Sequence, residues 1–579
     1  LRTDVNLRSF LVVLLVILAA SAVLRGVWLT ADPPVRRAVG IVWHDEGAWV
    51  HNARNAALWD VWRTDEWNPV FVAPVFTALE YAAFELLGVG TWQARIVPAL
   101  SGLAAIIAIA IALQALAGRR AAVVGAVLLG VNYPFVMWNR AALMESTMTA
   151  CLVLAWMAWT LAERRPAWGV LAGLAAVAAF FTKAAAAFFI AAFGLELAVA
   201  AWIGWQSATL GRRHAMLRVG AGAAGLIGGA LLVAAAFVLP WWDEYRFYNW
   251  QMSVTRKPSY TLGALVDRAT WLPIVQGLFS SMLVELTAGI VACVAILVRW
   301  RTAPSAERLL VLWILVGLVE LVVHDSGNER RYVMFIPALI ALASLLLAAR
   351  TPPFGVVGAR KGLQLLPAAL ALPLLAYVLA GSFVRPWLTT SIEAGQLSTA
   401  VRLSAALAAT VILLLVWRGR AALRWLAGRT VAPAAMKLLV TVAALWHVWQ
   451  FGTWAATRTF YNHQASIALG RLLEPGTLVQ GKLANGMSLE NGIRPLFIGN
   501  GFGNYDDRLD RDDVRYILTY DLPRIGYESS DGSGLIQGIL DHYPGWRVVA
   551  TFPVEEARGE ERAVLIDKFP ESFPAHARD

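Results

Sequence analysis

Apolar runs of roughly 20 residues recur from the N-terminus to about residue 451, each long enough to cross hydrocarbon as a helix. That recurrence predicts a mainly α, polytopic membrane protein. Composition agrees: 58% of the 579 residues are hydrophobic and 15% are charged, where soluble domains average about 45–50% and about 25%. Cys151 and Cys293 sit inside apolar runs, so neither a disulfide framework nor a thiolate metal site is expected. Many Trp (Trp43, Trp92, Trp138, Trp168, Trp241, Trp242, Trp300) lie near run ends, where interfacial belts place them.

Charge orients the spans. Up to residue 451 there are 36 Lys and Arg against 21 Asp and Glu, and beyond it 13 against 18. The excess of cations up to 451 clusters between spans, which points to cytoplasmic loops rather than to nucleic acid. The first run, Ser9 to about Leu29, follows Arg2 and Arg8 and is expected as an uncleaved signal anchor. If spans alternate, the groups at Arg119-Arg120, Arg164-Arg165, Arg212-Arg213-Arg218, Arg299-Arg301-Arg308, Arg350-Arg360-Lys361 and Arg418-Arg420-Arg424-Arg429 all fall on the cytoplasmic side. This gives about 13 spans, N-terminus inside and C-terminus outside, with 169–205 crossing twice around a hinge near Lys183.

The opposite loops hold Asp45, Glu46, Asp65 and Glu66, then Arg140 and Glu145, then Lys183, then a long segment from Trp241 to Pro273, then "HDSGNERRY" (324–332). Acids and bases gathered at one end of the spans mark a site or a pathway. From about Phe460 the composition becomes that of a water-soluble region. "GTLVQG", "RPLFIGNG", "VRYILTY", "WRVVATFPV" and "AVLIDKF" read as strands, and "SGLIQGILDHY" (533–543) reads as a helix. The expected division is a transmembrane domain, 1–451, and a small extracytoplasmic α/β domain, 452–579. "GNGFGN" (499–504) lacks the context of a dinucleotide loop, and "YDDRLDRDD" (505–513) reads as a solvated acidic loop in preference to a cation site.

Four stretches together resemble the GT-C superfamily of polyprenyl-phosphate-sugar glycosyltransferases, nearest the protein O-mannosyltransferase and aminoarabinose transferase branch (glycosyltransferase 39). They are "HDEGAWVHNARN" (44–55); "NPVFVAPVFTALEYAAFELLGVGTWQARIVPALSGL" (68–103); "NRAALMESTMTACLVLAWMAW" (139–159) with "GVLAGLAAVAAFFTKA" (169–184); and "LPWWDEYRFYNW" (239–250) with "ERRYVMFIPALIALAS" (329–344). Each is weak alone; their shared order is specific. The resemblance implies a GT-C fold in a bacterial plasma membrane and transfer of a sugar from a lipid phosphate to a hydroxyl on the extracytoplasmic side. The acceptor would be a protein, lipid or glycan.

That chemistry needs a carboxylate to take the hydroxyl proton and cations to receive the phosphate's charge. Asp45 matches the family's catalytic acid, Glu46 the second member of that pair, and Glu145 the second-loop acid. The plainer alternatives are a pairing of Asp45 with Arg54 or Arg95, a helix N-terminal charge at Glu46, and an ion pair of Glu145 with Arg140. For the donor phosphate the candidates are Lys183, Arg256, Lys257, Arg330, Arg331 and Tyr332, with snorkelling toward headgroups as the alternative for the cations. His44 could join Asp45 and Glu145 around a divalent metal, although a His beside one acid usually only hydrogen-bonds. One departure stands out: relatives often carry a lysine before the first-loop double proline, where this chain has Asn68-Pro69-Val70. The rival readings are a lipid-linked sugar flippase, which predicts inverted repeats that the sequence lacks, and a non-catalytic envelope scaffold.

Overall fold

The apolar runs fold as helices. The computed structural model describes residues 7–34, 43–64, 67–206, 209–250, 252, 262–265, 281–324, 329–349, 430–497, 509, 511–520, 535–556 and 559–569. Through residue 250 the helices are α1 (Leu7–Gly26), α2 (Asp45–Trp59), α3 (Pro74–Leu87), α4 (Thr91–Ala117), α5 (Arg119–Val131), α6 (Tyr133–Trp138), α7 (Met144–Leu161), α8 (Trp168–Thr182), α9 (Ala187–Trp205), α10 (Thr209–Val233) and α11 (Trp242–Trp250). Leu283–Val298, Ser305–His324, Ile336–Leu347 and Pro433–Thr457 are the further apolar helices among the described residues. Among the described residues, six helical stretches are long and apolar enough to cross a membrane, and Trp168–Thr182 and Leu283–Val298 are shorter apolar helices beside them. The spans expected between Arg350 and Arg429 lie outside the described residues.

Helix α7 is the centre of the bundle. It is buried along nearly its whole length, between α4 and α8, and Trp138, Trp156 and Trp159 are fully buried around it. Helix α10 packs on α8 at backbone distance: a Cβ on Gly173 would lie 2.2 Å from the Leu226 nitrogen, and one on Gly225 would lie 2.1 Å from the Val170 carbonyl. In lipid, where burial of apolar surface does not drive association, such close approach supplies the packing energy. Buried ion pairs add specificity between helices. Arg308 donates to both oxygens of Glu196 (2.7 and 3.1 Å), and His447 Nε2 lies 2.9 Å from Glu285. Breaking one partner of such a pair is costly because it strands the other charge. The hairpin hinge falls where the sequence predicts it: α8 ends at Thr182, Lys183 is extended (φ −158°, ψ 125°), and a short turn at Ala184–Ala186 leads into α9.

The C-terminal strands are β1 (Leu478–Gln480), β2 (Arg494–Leu496), β3 (Tyr516–Tyr520), β4 (Arg547–Glu556) and β5 (Gly559–Asp567). They form one five-stranded sheet of order β2-β1-β3-β5-β4, parallel between β2, β1 and β3 and antiparallel between β3, β5 and β4. All five segments expected as strands overlap one, β4 and β5 extending beyond theirs, and the expected helix is the shorter Leu535–Leu540. The glycine segment 499–504 and most of the acidic loop 505–513 lie outside the described residues. Helix Pro433–Thr457 runs on past residue 451, so a continuous helix, rather than a linker, crosses that position.

Not every tryptophan is interfacial. Trp92, Trp168, Trp241 and Trp242 are exposed as an interfacial belt requires, but Trp43 and Trp138 are buried. Trp43 belongs to the apolar core of the sheet, with Leu483, Met487 and Leu518, and Trp138 lies in the bundle core.

Candidate active site

Helix α2 begins with the acidic pair. Asp45 and Glu46 occupy its first turn, where carboxylates favour the positive end of the helix dipole. The helix is polar by sequence, yet Glu46, His51, Asn52, Arg54 and Asn55 are all buried. The C-terminal region covers it. The fully buried Arg54 donates to the carbonyls of Ser488, Asn491 and Ile493 (3.0, 2.8 and 3.0 Å) and stacks on Trp59. Beside α2, Glu490 accepts the Thr91 N–H (2.7 Å) and pairs with His463 (3.2 Å). Burial opposes its ionisation, but these partners outweigh burial and hold its pKa down to about 2. That contribution to docking is complete above the ordinary carboxylate range and is lost progressively as pH falls from there to about 2.

Contact along α2 is tight at the backbone itself. A Cβ on Gly47 would lie 1.8 Å from the Asn485 carbonyl oxygen, and one on Gly486 would lie 2.7 Å from the His44 Cα. Gly47→Ala is therefore expected to lower stability by about 1–3 kcal/mol, the usual range for overpacking. Gly194→Ala, where nothing lies within 4 Å, serves as the comparison. Thermal unfolding in detergent measures both, and equal midpoints would contradict the contact.

The two expected acids take different positions. Asp45 remains partly accessible (22%), pairs with Arg330, and has its Oδ1 3.5 Å from His44 Nε2. Glu46 is 2% exposed and fully engaged: both its oxygens receive Arg95 (2.8 and 2.6 Å), and Oε1 also accepts the Ala142 N–H at 2.6 Å. Arg95 in turn donates to the Leu29 and Ala31 carbonyls, so this pair ties α2 to α4 and to the end of α1. The alternative pairing of Asp45 with Arg54 or Arg95 is not what forms, because those arginines are committed elsewhere.

Glu145 opens α7 and meets Lys183, whose Nζ lies 2.5 Å from its Oε1. Its other oxygen is buried and has no hydrogen-bond partner among the described residues. Arg140 is not its partner. That guanidinium donates to the Leu24, Arg25 and Trp28 carbonyls at the end of α1 and stacks on Trp454. Arg330 lies close enough to Glu145 and Lys183 for their charges to interact. Asp45, Arg330, Glu145 and Lys183, from four separate segments, thus form one cluster of alternating charge.

Other expected residues are placed differently. Arg331 is 4% exposed and donates to Glu320 (2.6 Å), although its charge also acts on Lys183, and Tyr332 is fully buried in the bundle core. Arg256 and Lys257 lie outside the described residues. Of the three possible metal ligands, His44 turns Nδ1 to the Tyr520 hydroxyl (3.0 Å) and Glu145 is held by Lys183. Among the described residues no three His, Cys, Asp or Glu side chains come together to hold a metal ion. Asn68, at the position of the missing lysine, is buried and bonded to Asn52, Thr64 and Tyr248. Sequence reasoning missed Glu320, Arg54 as a clamp, and Tyr520; no local motif marks them.

An apolar cleft of about 520 Å3 is lined by Trp62, Val70, Phe71, Phe181, Phe237 and Trp241 among others. Arg63 closes one edge, stacked on Trp241 and paired with Glu244 (2.7 Å). Phe181 stands two residues before Lys183.

Residues 71–236 match a family model described as dolichyl-phosphate-mannose-protein mannosyltransferase. The crystal structure of ArnT from Cupriavidus metallidurans bound to undecaprenyl phosphate aligns over 98% of this chain and 98% of that one, with TM-score 0.51 and 20% identity. Its apo form aligns over 96% and 97%, with TM-score 0.54 and 20% identity. The chain has the GT-C fold. An oligosaccharyltransferase from Archaeoglobus fulgidus also aligns, over 90% of this chain and 70% of that one with 14% identity, at a TM-score of 0.43 too low to build on. No curated protein matches. The motif resemblance agrees with the family model over residues 71–236 and with the fold, and at 20% identity the likeness to ArnT carries the fold alone.

Proposed function

We propose that the chain is an integral-membrane, polyprenyl-phosphate-dependent glycosyltransferase that joins a sugar to a hydroxyl acceptor by single displacement. The observation that carries this reading is the Asp45–Arg330 and Glu145–Lys183 cluster on a GT-C bundle. It joins a partly accessible carboxylate to two cations, and Phe181 in the wall of the apolar cleft stands two residues before Lys183. The cleft receives prenyl chain from the bilayer, leaving the phosphate at Arg330 and Lys183. The donor phosphodiester carries one negative charge, which grows toward two as the sugar leaves, and that charge draws the Arg330 guanidinium from Asp45. Asp45 then accepts the acceptor's hydroxyl proton as the oxygen attacks the anomeric carbon and the carbon–phosphate oxygen bond breaks. The leaving phosphate keeps the bonding pair, and Arg330 and Lys183 stabilise its charge. Glu145, with one oxygen that has no hydrogen-bond partner among the described residues, orients the acceptor hydroxyl. The cluster faces the extracytoplasmic side of a bacterial plasma membrane, where the basic clusters of the alternate loops put it.

The test is a purified protein incubated with polyprenyl-phosphate hexose and pentose donors and hydroxyl acceptors, with products resolved by NMR. Released polyprenyl phosphate should match glycoside formed, and the new linkage should have the opposite anomeric configuration to the donor. A product that retains the donor configuration would rule out single displacement. Movement of intact donor between leaflets without glycoside formation would favour the flippase.

A further inference from the structure

Tyr520 closes β3, the central strand of the C-terminal sheet, in register with Ala563 of β5. Strand side chains alternate between faces: Leu518 and Tyr520 share the core that contains Trp43, Leu483 and Met487, while Ile517 faces the core around Ile536 and Leu540. Tyr520 is 1% exposed, and its hydroxyl lies 3.0 Å from Nδ1 of the equally buried His44. The other nitrogen of that imidazole lies 3.5 Å from Asp45 Oδ1. A residue of the soluble region is thereby linked through one ring to the carboxylate assigned as base.

The arrangement selects a tautomer. A protonated Nδ1 would donate to Tyr520 and turn the bare Nε2 lone pair toward a carboxylate, setting two acceptors face to face. With the tyrosyl O–H donating to Nδ1, the ring proton sits on Nε2, 3.5 Å from Asp45 Oδ1, where the attraction is electrostatic rather than a formed hydrogen bond. Neither ring has room to turn away. His44 is held by the backbone contact of Gly486 against its Cα, and Trp43 and Tyr520 meet its ring edge to face. The Arg54 clamp fixes the rest of α2 to the same region.

We propose that Tyr520 and His44 are positioning residues for the transfer reaction. Tyr520 fixes the His44 tautomer, and the His44 Nε2–H holds the Asp45 carboxylate in line for the acceptor hydroxyl when Arg330 leaves it. The C-terminal sheet is then part of the active site rather than an appended domain. This rests on the reading of Asp45 as base.

Tyr520→Phe removes the hydroxyl and keeps the ring in its core. In the full-length protein it should lower kcat about tenfold, as loss of one hydrogen bond in a charged network does, with the KM values for polyprenyl-phosphate hexose and for acceptor within about twofold. In an Asp45→Asn background it should change nothing further, since the group it positions no longer acts. Glu490→Gln disturbs the contact of the same region with α4, away from Asp45, and should leave kcat unchanged. Wild-type kcat for Tyr520→Phe, beside an inactive Asp45→Asn, overturns this inference and leaves the base assignment standing. A similar loss in Tyr520→Phe and Glu490→Gln overturns it too, since docking alone would then explain the loss. An active Asp45→Asn overturns both.

Discussion

Asp45→Asn should abolish sugar transfer while the protein still folds and still binds the lipid-linked donor. A hydroxyl is a poor nucleophile near neutral pH, and a positioned base contributes typically about 10²–10⁴-fold. The amide keeps the shape of the carboxylate but cannot take the proton. Folding should survive because Asp45 is partly solvated and its partner Arg330 is 15% exposed, so the stranded cation reaches water. Glu46→Gln should behave in the opposite way. Glu46 and Arg95 are both 3% exposed in their side chains, and breaking a buried pair from one side costs about 3–5 kcal/mol. That variant should therefore lose folded protein rather than specific activity. Turnover by purified protein, alongside its melting temperature, separates the two. Wild-type turnover by Asp45→Asn would move the base to Glu145.

Arg330→Gln should have the next largest effect, lowering kcat about 10²–10³-fold, the usual cost of removing one preorganised donor from developing negative charge. Donor KM should rise as well, and acceptor KM should not. Arg331 is the internal comparison. It belongs to the same dipeptide, but its guanidinium is buried against Glu320, so Arg331→Gln should lower the melting temperature and leave the kcat of the folded fraction near wild type. Stopped-time assays with varied donor and acceptor give both sets of constants. If Arg331→Gln proves the more damaging to donor KM, phosphate binding belongs to Arg331 and Arg330 merely neutralises Asp45.

Spans, strands and the Lys183 hinge were readable locally because each depends on periodicity and length within a segment: about 20 apolar residues for a crossing, alternation for a strand, and a break between two apolar runs for the hinge. Asp45 and Glu145 stood out as candidates for a similar reason, since acids at span ends are costly unless something pairs with or uses them. Sequence could not divide the labour among neighbours. Asp45 and Glu46 differ by one position, about 100° around a helix, and that rotation sends one toward Arg330 and the other into the Arg95 pocket. Arg330 and Arg331 separate in the same way. The burial of Trp43, the commitment of Arg54 to three carbonyls and the approach of Tyr520 to His44 depend on a sheet more than 400 residues away in the chain folding back onto α2. Side-chain type and period were written along the chain; which carboxylate meets which cation was decided only by tertiary packing, because an ion pair is a property of distance in space and not of position in sequence.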